Sequence, residues 1–258
     1  MKLFGILGFP LGHSYSPAYF NEKFRREGID ARYLTFELED LAALPALIAR
    51  TPELCGLNVT IPHKQRILPY LDTLSPEARA VGAVNCIRIR RDGGIPHLSG
   101  HNTDVIGFRN ALTAFLPTLS TSQHPPPSGP APRALALGNG GAACAVRHVL
   151  DTLRIAHLTA TRHPRHAGEI PYAEVPRHLP RHLLVINATP LGTHPASAAC
   201  PDLPYDRLTP AHCLFDLVYN PAVTEFMKRG AARGARTCNG LAMLTGQAEA
   251  AWDIWNNG

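Results

Sequence analysis

Nothing in the 258 residues approaches the ~18 consecutive apolar positions that a bilayer-spanning helix needs. The start, MKLFGILGFPLGHS, has one lysine and an apolar run broken by glycines and a proline, and it reads as a first strand rather than a signal peptide. No C-x-x-C pair occurs. The six cysteines, Cys55, Cys86, Cys144, Cys200, Cys213 and Cys238, are scattered, several within apolar strands or helices, as expected of reduced core residues in a cytoplasmic protein. Thirteen histidines include no H-E-x-x-H or similar ligand spacing, so no metal site is expected and most are read as surface positions. The net charge of +5 is not gathered into a basic arm or helix; it lacks the footprint of a nucleic-acid binder and suits small anionic ligands. There is no internal repeat, and the one low-complexity stretch, Pro117 to Pro132, reads as an exposed loop. The length suits one large domain or two small ones, with ample core.

What is present centres on Arg133 to Asp151, RALALGNGGAACAVRHVLD. Ala134 to Leu137 reads as a short buried strand that runs into Gly138, Gly140 and Gly141. A helix follows, with Ala145, Val146, Val149, Leu150 and Leu153 on one face. Strand, glycine turn and helix open a βαβ unit in which the backbone can approach a pyrophosphate and the helix offers free N–H groups. Ala143 takes the third position of G-x-G-x-x-G/A, where a small residue lets helix and strand pack closely. A glycine turn of this kind is also a common plain connection. Ile155 to Ala160 is the next strand, and about twenty residues beyond the first glycine an NAD site usually places an acid on the ribose 2′-hydroxyl. Here Thr161-Arg162-His163-Pro164-Arg165 has no acid and two arginines, which favours NADP over NAD unless both are simply exposed loop residues.

Along the rest of the chain, Leu3 to Gly8 reads as a strand, and Ser16 as the N-cap, with Pro17 at the first position, of a helix ending at Gly28. A cap suffices for Ser16; equally, Ser14 and Ser16 are two hydroxyls beyond a strand end, suited to a polyol or carboxylate, and spacing leaves both open. Arg32 to Leu38 alternates, with Leu34, Phe36 and Leu38 on one face. A helix from Asp40 to about Arg50 and a strand from Cys55 to Thr60 follow, closed by Ile61-Pro62 and His63-Lys64. This alternation predicts an α/β fold with a mostly parallel sheet, whose ligands bind off the carboxyl ends of the strands, where Asn58, Thr60 and Lys64 lie. Ser75-Pro76 caps a short helix, Ala83 to Arg90 is a strand carrying Asn85, and Asp92-Gly93 signals a hairpin returning to Gly100. Thr103 or Asp104 caps a helix with Val105, Phe108, Leu112 and Phe115 on its apolar side. Later come strands at Leu183 to Ile186 and Cys213 to Val218, and a helix capped by Thr224 that runs to about Arg233. In a last helix, Gly240 to Trp255, Gln247 edges the stripe of Leu244, Ala248, Ala251, Trp252 and Trp255, facing a cleft or water.

Several stretches stand in a shared order and spacing. They are His13-Ser14-Tyr15-Ser16-Pro17, Asn58-Val59-Thr60-Ile61-Pro62-His63-Lys64, Gly82-Ala83-Val84-Asn85, Asn102-Thr103-Asp104, Gly138 to Ala143, Asn187-Ala188-Thr189, Asp216-Leu217-Val218-Tyr219 and Gly240-Leu241-Ala242-Met243-Leu244. Taken jointly, they make the chain resemble the shikimate dehydrogenase family along essentially its whole length. The resemblance implies NADPH-dependent, reversible reduction of 3-dehydroshikimate to shikimate in aromatic amino-acid biosynthesis. It implies an N-terminal α/β substrate domain, residues 1–103 completed by a C-terminal helix at 239–258, and a Rossmann-like NADP-binding domain at 104–238, with a cleft between them. Ser14, Ser16, Asn58, Thr60, Asn85, Tyr219 and Gln247 would hold substrate, with Lys64 and Asp104 the catalytic pair. NADP(H) would lie on Gly138, Asn139, Gly140, Gly141, Ala142, Thr161, Arg162, Arg165, Asn187, Thr189, Val218, Gly240 and Met243, in a monomer or homodimer that binds neither nucleic acid nor membrane. Three departures stand out: Thr161-Arg162-His163 where the family often has Asn-Arg-Thr, Thr193 where a methionine is common, and the segment 117–132, which looks like an insertion.

In such a reaction negative charge grows on the ketone oxygen as hydride reaches carbon, and the ammonium of Lys64 is the donor best suited to meet it. Asp104 would orient that lysine and favour its protonated form. The plain alternative for Lys64 is a solvated lysine at a helix start, where the dipole calls for an anionic neighbour. A quinate/shikimate dehydrogenase using NAD shares most of these motifs, but Arg162, Arg165 and Ser14 argue against it. A catalytically silent ligand-binding relative would have lost Lys64 or Asp104, and both are present.

Overall fold

The structure, a computed structural model, describes residues 1–12, 14–116 and 133–256; His13 and the proline-rich stretch 117–132, expected to be an exposed loop and an insertion, lie outside the described residues. The chain divides into two units, Met1–Thr103 with Ala248–Gly258, and Asp104–Gln247. Among the described residues no helix is long and apolar enough to cross a membrane.

The first unit is built on β1 (Lys2–Gly8), α1 (Ser16–Glu27), β2 (Ala31–Glu37), α2 (Leu44–Arg50), β3 (Leu54–Val59), β4 (Thr73–Leu74), α3 (Pro76–Val81), β5 (Cys86–Asp92) and β6 (Ile95–His101). Its sheet order is β2-β1-β3-β5-β6-β4. The sheet is mixed: β1 pairs in parallel with β2 and β3, and β4 with β6, whereas β3–β5 and β5–β6 are antiparallel. The hairpin dictates this, since Asp92 pairs with Ile95 across the two residues Gly93 and Gly94. Beyond the exposed Lys2, strand β1 is apolar because both its faces are covered. Leu3 and Leu7 join Leu44, Leu47, Leu54, Leu57 and Ile87 on one side. Phe4 and Ile6 join Phe20, Phe24, Tyr33, Ala251 and Trp255 on the other. The Trp255 ring stacks on Phe4 at 4.8 Å, and its indole N–H donates to the Ile87 carbonyl at 3.0 Å.

Two local expectations are corrected here. Ser16 is not the N-cap but the first helical residue; Tyr15 occupies the cap position and makes no side-chain cap bond. The Ser16 hydroxyl is drawn instead to Tyr33, and the residue is buried. In β2 the expected face is only partly covered: Phe36 and, just past the strand, Leu38 pack on the core with Leu3 and Leu7, while Leu34 is 38% exposed at the sheet edge and the most deeply buried residue is Tyr33 on the opposite face, its ring stacked on Phe20 at 4.6 Å. Ser75 does cap α3, accepting from the Ala78 N–H, and Asn85 lies just ahead of β5 rather than inside it.

The second unit comprises α4 (Asp104–Phe115), β7 (Arg133–Leu137), α5 (Gly141–Thr152), β8 (Ala156–Thr161), β9 (Glu169–Pro171), α6 (Val175–His178), β10 (Leu184–Asn187), β11 (Cys213–Asp216), α7 (Glu225–Ala231), β12 (Arg236–Cys238) and the start of α8 (Leu241–Asn256). All its described strand pairings are parallel, in the order β12-β11-β10-β7-β8-β9. The chain enters at β7, winds outward to β9, then crosses back to β10 and winds to β12. That is the order of a doubly wound, Rossmann-type sheet, with its switch point between β7 and β10. Ala143 is fully buried, as the close approach of α5 to the sheet demands.

All six cysteines are free. Most described histidines are exposed or half-buried; His63, His182 and His212 are the buried ones among them, each with a ring nitrogen on a backbone carbonyl, because a half-apolar ring with one satisfied N–H suits an interior. Among the described residues no group of three or more His, Cys, Asp or Glu side chains is placed to hold a metal ion.

Candidate functional site

In the first unit, β1, β3 and β6 run the same way and β5 runs against β3 and β6, so three carboxyl ends and the start of β5 share one edge. At that edge Asn58 pairs with Cys86, and Cys86 with His101. The structure joins several candidate residues there. Asn85 accepts the Thr103 N–H on Oδ1 at 2.6 Å, and its carbonyl accepts the Val59 N–H at 2.9 Å and, more weakly, Asn58 Nδ2 at 3.3 Å. The Tyr33 hydroxyl donates to Asn58 Oδ1 at 2.7 Å and also bonds Ser16. Burial pushes the Tyr33 phenol well above its ordinary range, with the Ser16 bond pulling the other way, so Tyr33 stays a neutral donor. Ser16, Asn58 and Asn85 are thus buried polar groups in one network, and Ser14 and Thr60 lie half-buried beside it in sequence.

Lys64 is half-buried and sits in a turn ahead of a short 3-10 stretch, Leu68–Tyr70, not at an α-helix start. The plain alternative, a solvated lysine at a helix start, therefore does not describe it. Its carbonyl accepts the Val84 N–H at 2.7 Å, which fixes the main chain of residue 64 beside Asn85.

In the second unit the candidate residues follow directly on the strand ends: 138–142 after β7, 161–165 at and after β8, 187–189 at and after β10, 218 and 219 after β11, and 240 after β12. In a parallel sheet these ends share one edge. Gly138 has φ +97°, and a Cβ there would lie 2.8 Å from Thr189 Cγ2, so the turn itself requires glycine. Gly140 is different: its φ is ordinary, and an added Cβ would meet nothing within 4 Å. Its missing side chain leaves an open face at the start of α5, which no side chain caps. With Arg162 and Arg165 exposed beyond β8, these residues fit a dinucleotide carrying an extra phosphate. The Arg162 charge is near enough to Tyr172 to oppose the rise that burial imposes on that phenol.

Other residues of this set serve the fold as well. Asn187 is fully buried: its Nδ2 donates to Asp216 Oδ1 at 2.9 Å, and its Oδ1 accepts the Thr189 hydroxyl at 2.6 Å. Asp216 also accepts from the Val218 N–H and the Thr224 hydroxyl, yet burial outweighs these donors and lifts its carboxyl to about 6. A Cβ at Gly240 would fall 2.1 Å from the Leu217 carbonyl oxygen, so packing alone calls for glycine there. Met243 is buried, and so are Asp104, which opens α4, and Gln247, which the sequence left facing either a cleft or water. Tyr219 is half-buried.

Sequence reasoning missed Tyr33, Arg147 and Glu169. Asn139 Oδ1 accepts Arg147 Nη1 at 2.6 Å, and Asn139 Nδ2 donates to Glu169 Oε1 at 2.7 Å. The inward aromatic in a strand was a readable signal for Tyr33; nothing local marks the other two.

A family model described as the shikimate dehydrogenase substrate binding domain matches residues 6–87. A protein from Desulforamulus reducens named shikimate dehydrogenase (NADP(+)) is 36% identical over 272 residues, covering 97% of this chain and 88% of that protein. The crystal structure of shikimate dehydrogenase 1 from Peptoclostridium difficile superposes with a TM-score of 0.82 at 34% identity, over 100% of this chain and 92% of the other. That of shikimate 5-dehydrogenase from Thermus thermophilus, in complex with NADP(H) and shikimate, gives 0.81 at 31% identity over 100% and 94%.

Proposed function

The chain belongs to the shikimate dehydrogenase family, and on that footing we propose that it catalyses the NADP(H)-dependent interconversion of 3-dehydroshikimate and shikimate. In this reading residues 1–103 with 239–258 hold substrate and 104–238 hold NADP(H), a division that the compact units Met1–Thr103 with Ala248–Gly258 and Asp104–Gln247 support except that 239–247 fall with the second unit. Its partners are these two small molecules, in a cytoplasmic monomer or homodimer. The observation that carries it is the glycine turn: an open face at Gly140, an uncapped α5 beyond it, and two arginines rather than an acid at the end of the neighbouring strand.

The chemistry NADPH supplies when bound is a hydride for a ketone carbon. Gly140, Gly141 and Ala142 offer backbone N–H groups to the pyrophosphate, and Arg162 and Arg165 meet the 2′-phosphate. Asn139 contributes through its backbone, since its side chain is engaged by Arg147 and Glu169. Thr161, Asn187, Thr189, Val218, Gly240 and Met243 shape the walls. Ser14 and Ser16 hold the substrate carboxylate, and Asn58, Thr60, Asn85, Tyr219 and Gln247 hold its remaining oxygens. The Lys64 ammonium gives a proton to the ketone oxygen as charge grows there, and Asp104 orients it and accepts from the adjacent hydroxyl.

The test is a spectrophotometric assay of NADP⁺ and NAD⁺ reduction with shikimate and with quinate, run side by side. The expected result is fastest reduction of NADP⁺ with shikimate. Preference for NAD⁺ with quinate would overturn the reading.

A further inference from the structure

Glu169, the first residue of β9, carries no role in the reading above, yet its carboxylate joins two of the loops that reading assigns to NADP(H). Oε1 accepts Asn139 Nδ2 from the glycine turn at 2.7 Å. Oε2 accepts the backbone N–H of Arg165 at 2.7 Å, and the Glu169 N–H donates to the His166 carbonyl at 3.0 Å. One residue therefore closes the loop that bears Arg162 and Arg165 and ties it to the turn after β7. On the far side Arg147, from the second turn of α5, holds Asn139 Oδ1 at 2.6 Å, which leaves the Asn139 amide N–H₂ turned toward Glu169. The strand that would bear an acid for a ribose hydroxyl ends on Thr161, with Arg162 just beyond it, and the acid here comes from the next strand with each oxygen already given to a protein donor.

We propose that Glu169 is a positioning residue for cofactor choice. Acting through Asn139 and the Arg165 backbone, it holds the arginine loop in register with the glycine turn, so that a 2′-phosphate meets both arginines while the pyrophosphate lies on α5. This rests on the NADP reading of the preceding section. A dinucleotide without the 2′-phosphate uses only the glycine turn and loses little when the tie is cut. From residue 152 to 173 Glu169 is the one acid against Arg154, Arg162 and Arg165, so the charge of this stretch remains suited to an added phosphate.

The experiment is titration of the whole protein with NADPH and with NADH, followed by cofactor fluorescence, for the unaltered chain, Glu169→Ala, Glu169→Gln, Asn139→Ala and the double variant. Glu169→Ala is expected to weaken NADPH by about tenfold, the order carried by a lost charge-assisted hydrogen bond, and NADH by less than about threefold. Glu169→Gln, which keeps one acceptor oxygen, is expected to fall between. Asn139→Ala cuts the same tie from the other end, so the double variant should be no weaker than Glu169→Ala alone. Equal losses for both cofactors, additive effects in the double variant, or a larger loss for NADH, as a ribose-reading acid would give, each overturn the proposal. Failure of the unaltered chain to bind NADPH would overturn the cofactor reading itself and this role with it.

Discussion

The hydroxyl of Tyr33 donates to Oδ1 of Asn58 at 2.7 Å, on the buried side of a strand edge that presents Asn58 and Asn85 together. Tyr33→Phe keeps the ring stacked on Phe20 and removes only the hydroxyl, with its bonds to Asn58 and Ser16. It leaves a buried amide oxygen unsatisfied, so unfolding in urea should show a loss of about 1–3 kcal/mol. With Asn58 no longer held, the KM for shikimate should rise severalfold while that for NADP⁺ stays put. An unchanged shikimate KM would confine Tyr33 to a structural role.

Lys64→Ala should leave NADPH binding nearly intact, measured by fluorescence titration, because Lys64 lies in a turn of the first unit. Turnover should fall by roughly 10²- to 10⁴-fold, the range associated with a positioned general acid. A loss smaller than about fivefold would remove Lys64 from the chemistry.

Arg162→Ala should weaken NADPH by far more than NADH, since only the former carries the phosphate that an exposed guanidinium beyond β8 can pair. Comparable losses for the two cofactors would show that this arginine does not read the 2′ position.

The two glycines of the turn make opposite predictions. Gly138→Ala forces a side chain into a left-handed backbone with a contact at 2.8 Å, and thermal melting should show a destabilisation of about 1–3 kcal/mol. Gly140→Ala meets no protein atom, so the melting temperature should hold while NADPH binding drops. Intact binding in Gly140→Ala would mean that the open face is not where the pyrophosphate lies.

Asp216 titrates near 6, above its ordinary 3.8, because burial outweighs the hydrogen bonds it accepts. The folded state therefore binds this proton more tightly than the unfolded state, and the contribution of Asp216 to stability falls as pH rises from about 4 to about 6, then levels off. Urea unfolding of the unaltered chain and of Asp216→Asn across that window should show the variant lacking this slope. Parallel curves would mean that the carboxyl is not perturbed.

Much of the architecture was legible because it rests on local signals. The apolar run before Gly138, the Asp92-Gly93 turn, and Ser75 and Thr224 as caps each specify their element within a few residues, and all four hold in the structure. The errors arose where a distant partner outbid the local rule. Ser16 has the spacing of a cap, but its hydroxyl goes to Tyr33 across the unit. Leu34 alternates with Phe36 and Leu38, which pack on the core, yet on an edge strand it stays 38% exposed while Tyr33 on the opposite face is buried in the aromatic layer. Glu169 reaches Asn139 across thirty positions of sequence, a pairing that no periodicity or turn chemistry announces. Which histidines are buried is equally unannounced, since His63 and His212 each meet a carbonyl that only the fold brings near.

The aromatic layer beneath β1 has a bearing on how the protein is made. Phe4, Phe20, Phe24 and Tyr33 leave the ribosome before the Asp104–Gln247 unit, but the rings that complete their packing, Trp252 and Trp255, come after all of it. The half begun first is finished last, and a nascent chain halted before residue 252 would hold an open hydrophobic face for as long as the pause lasts.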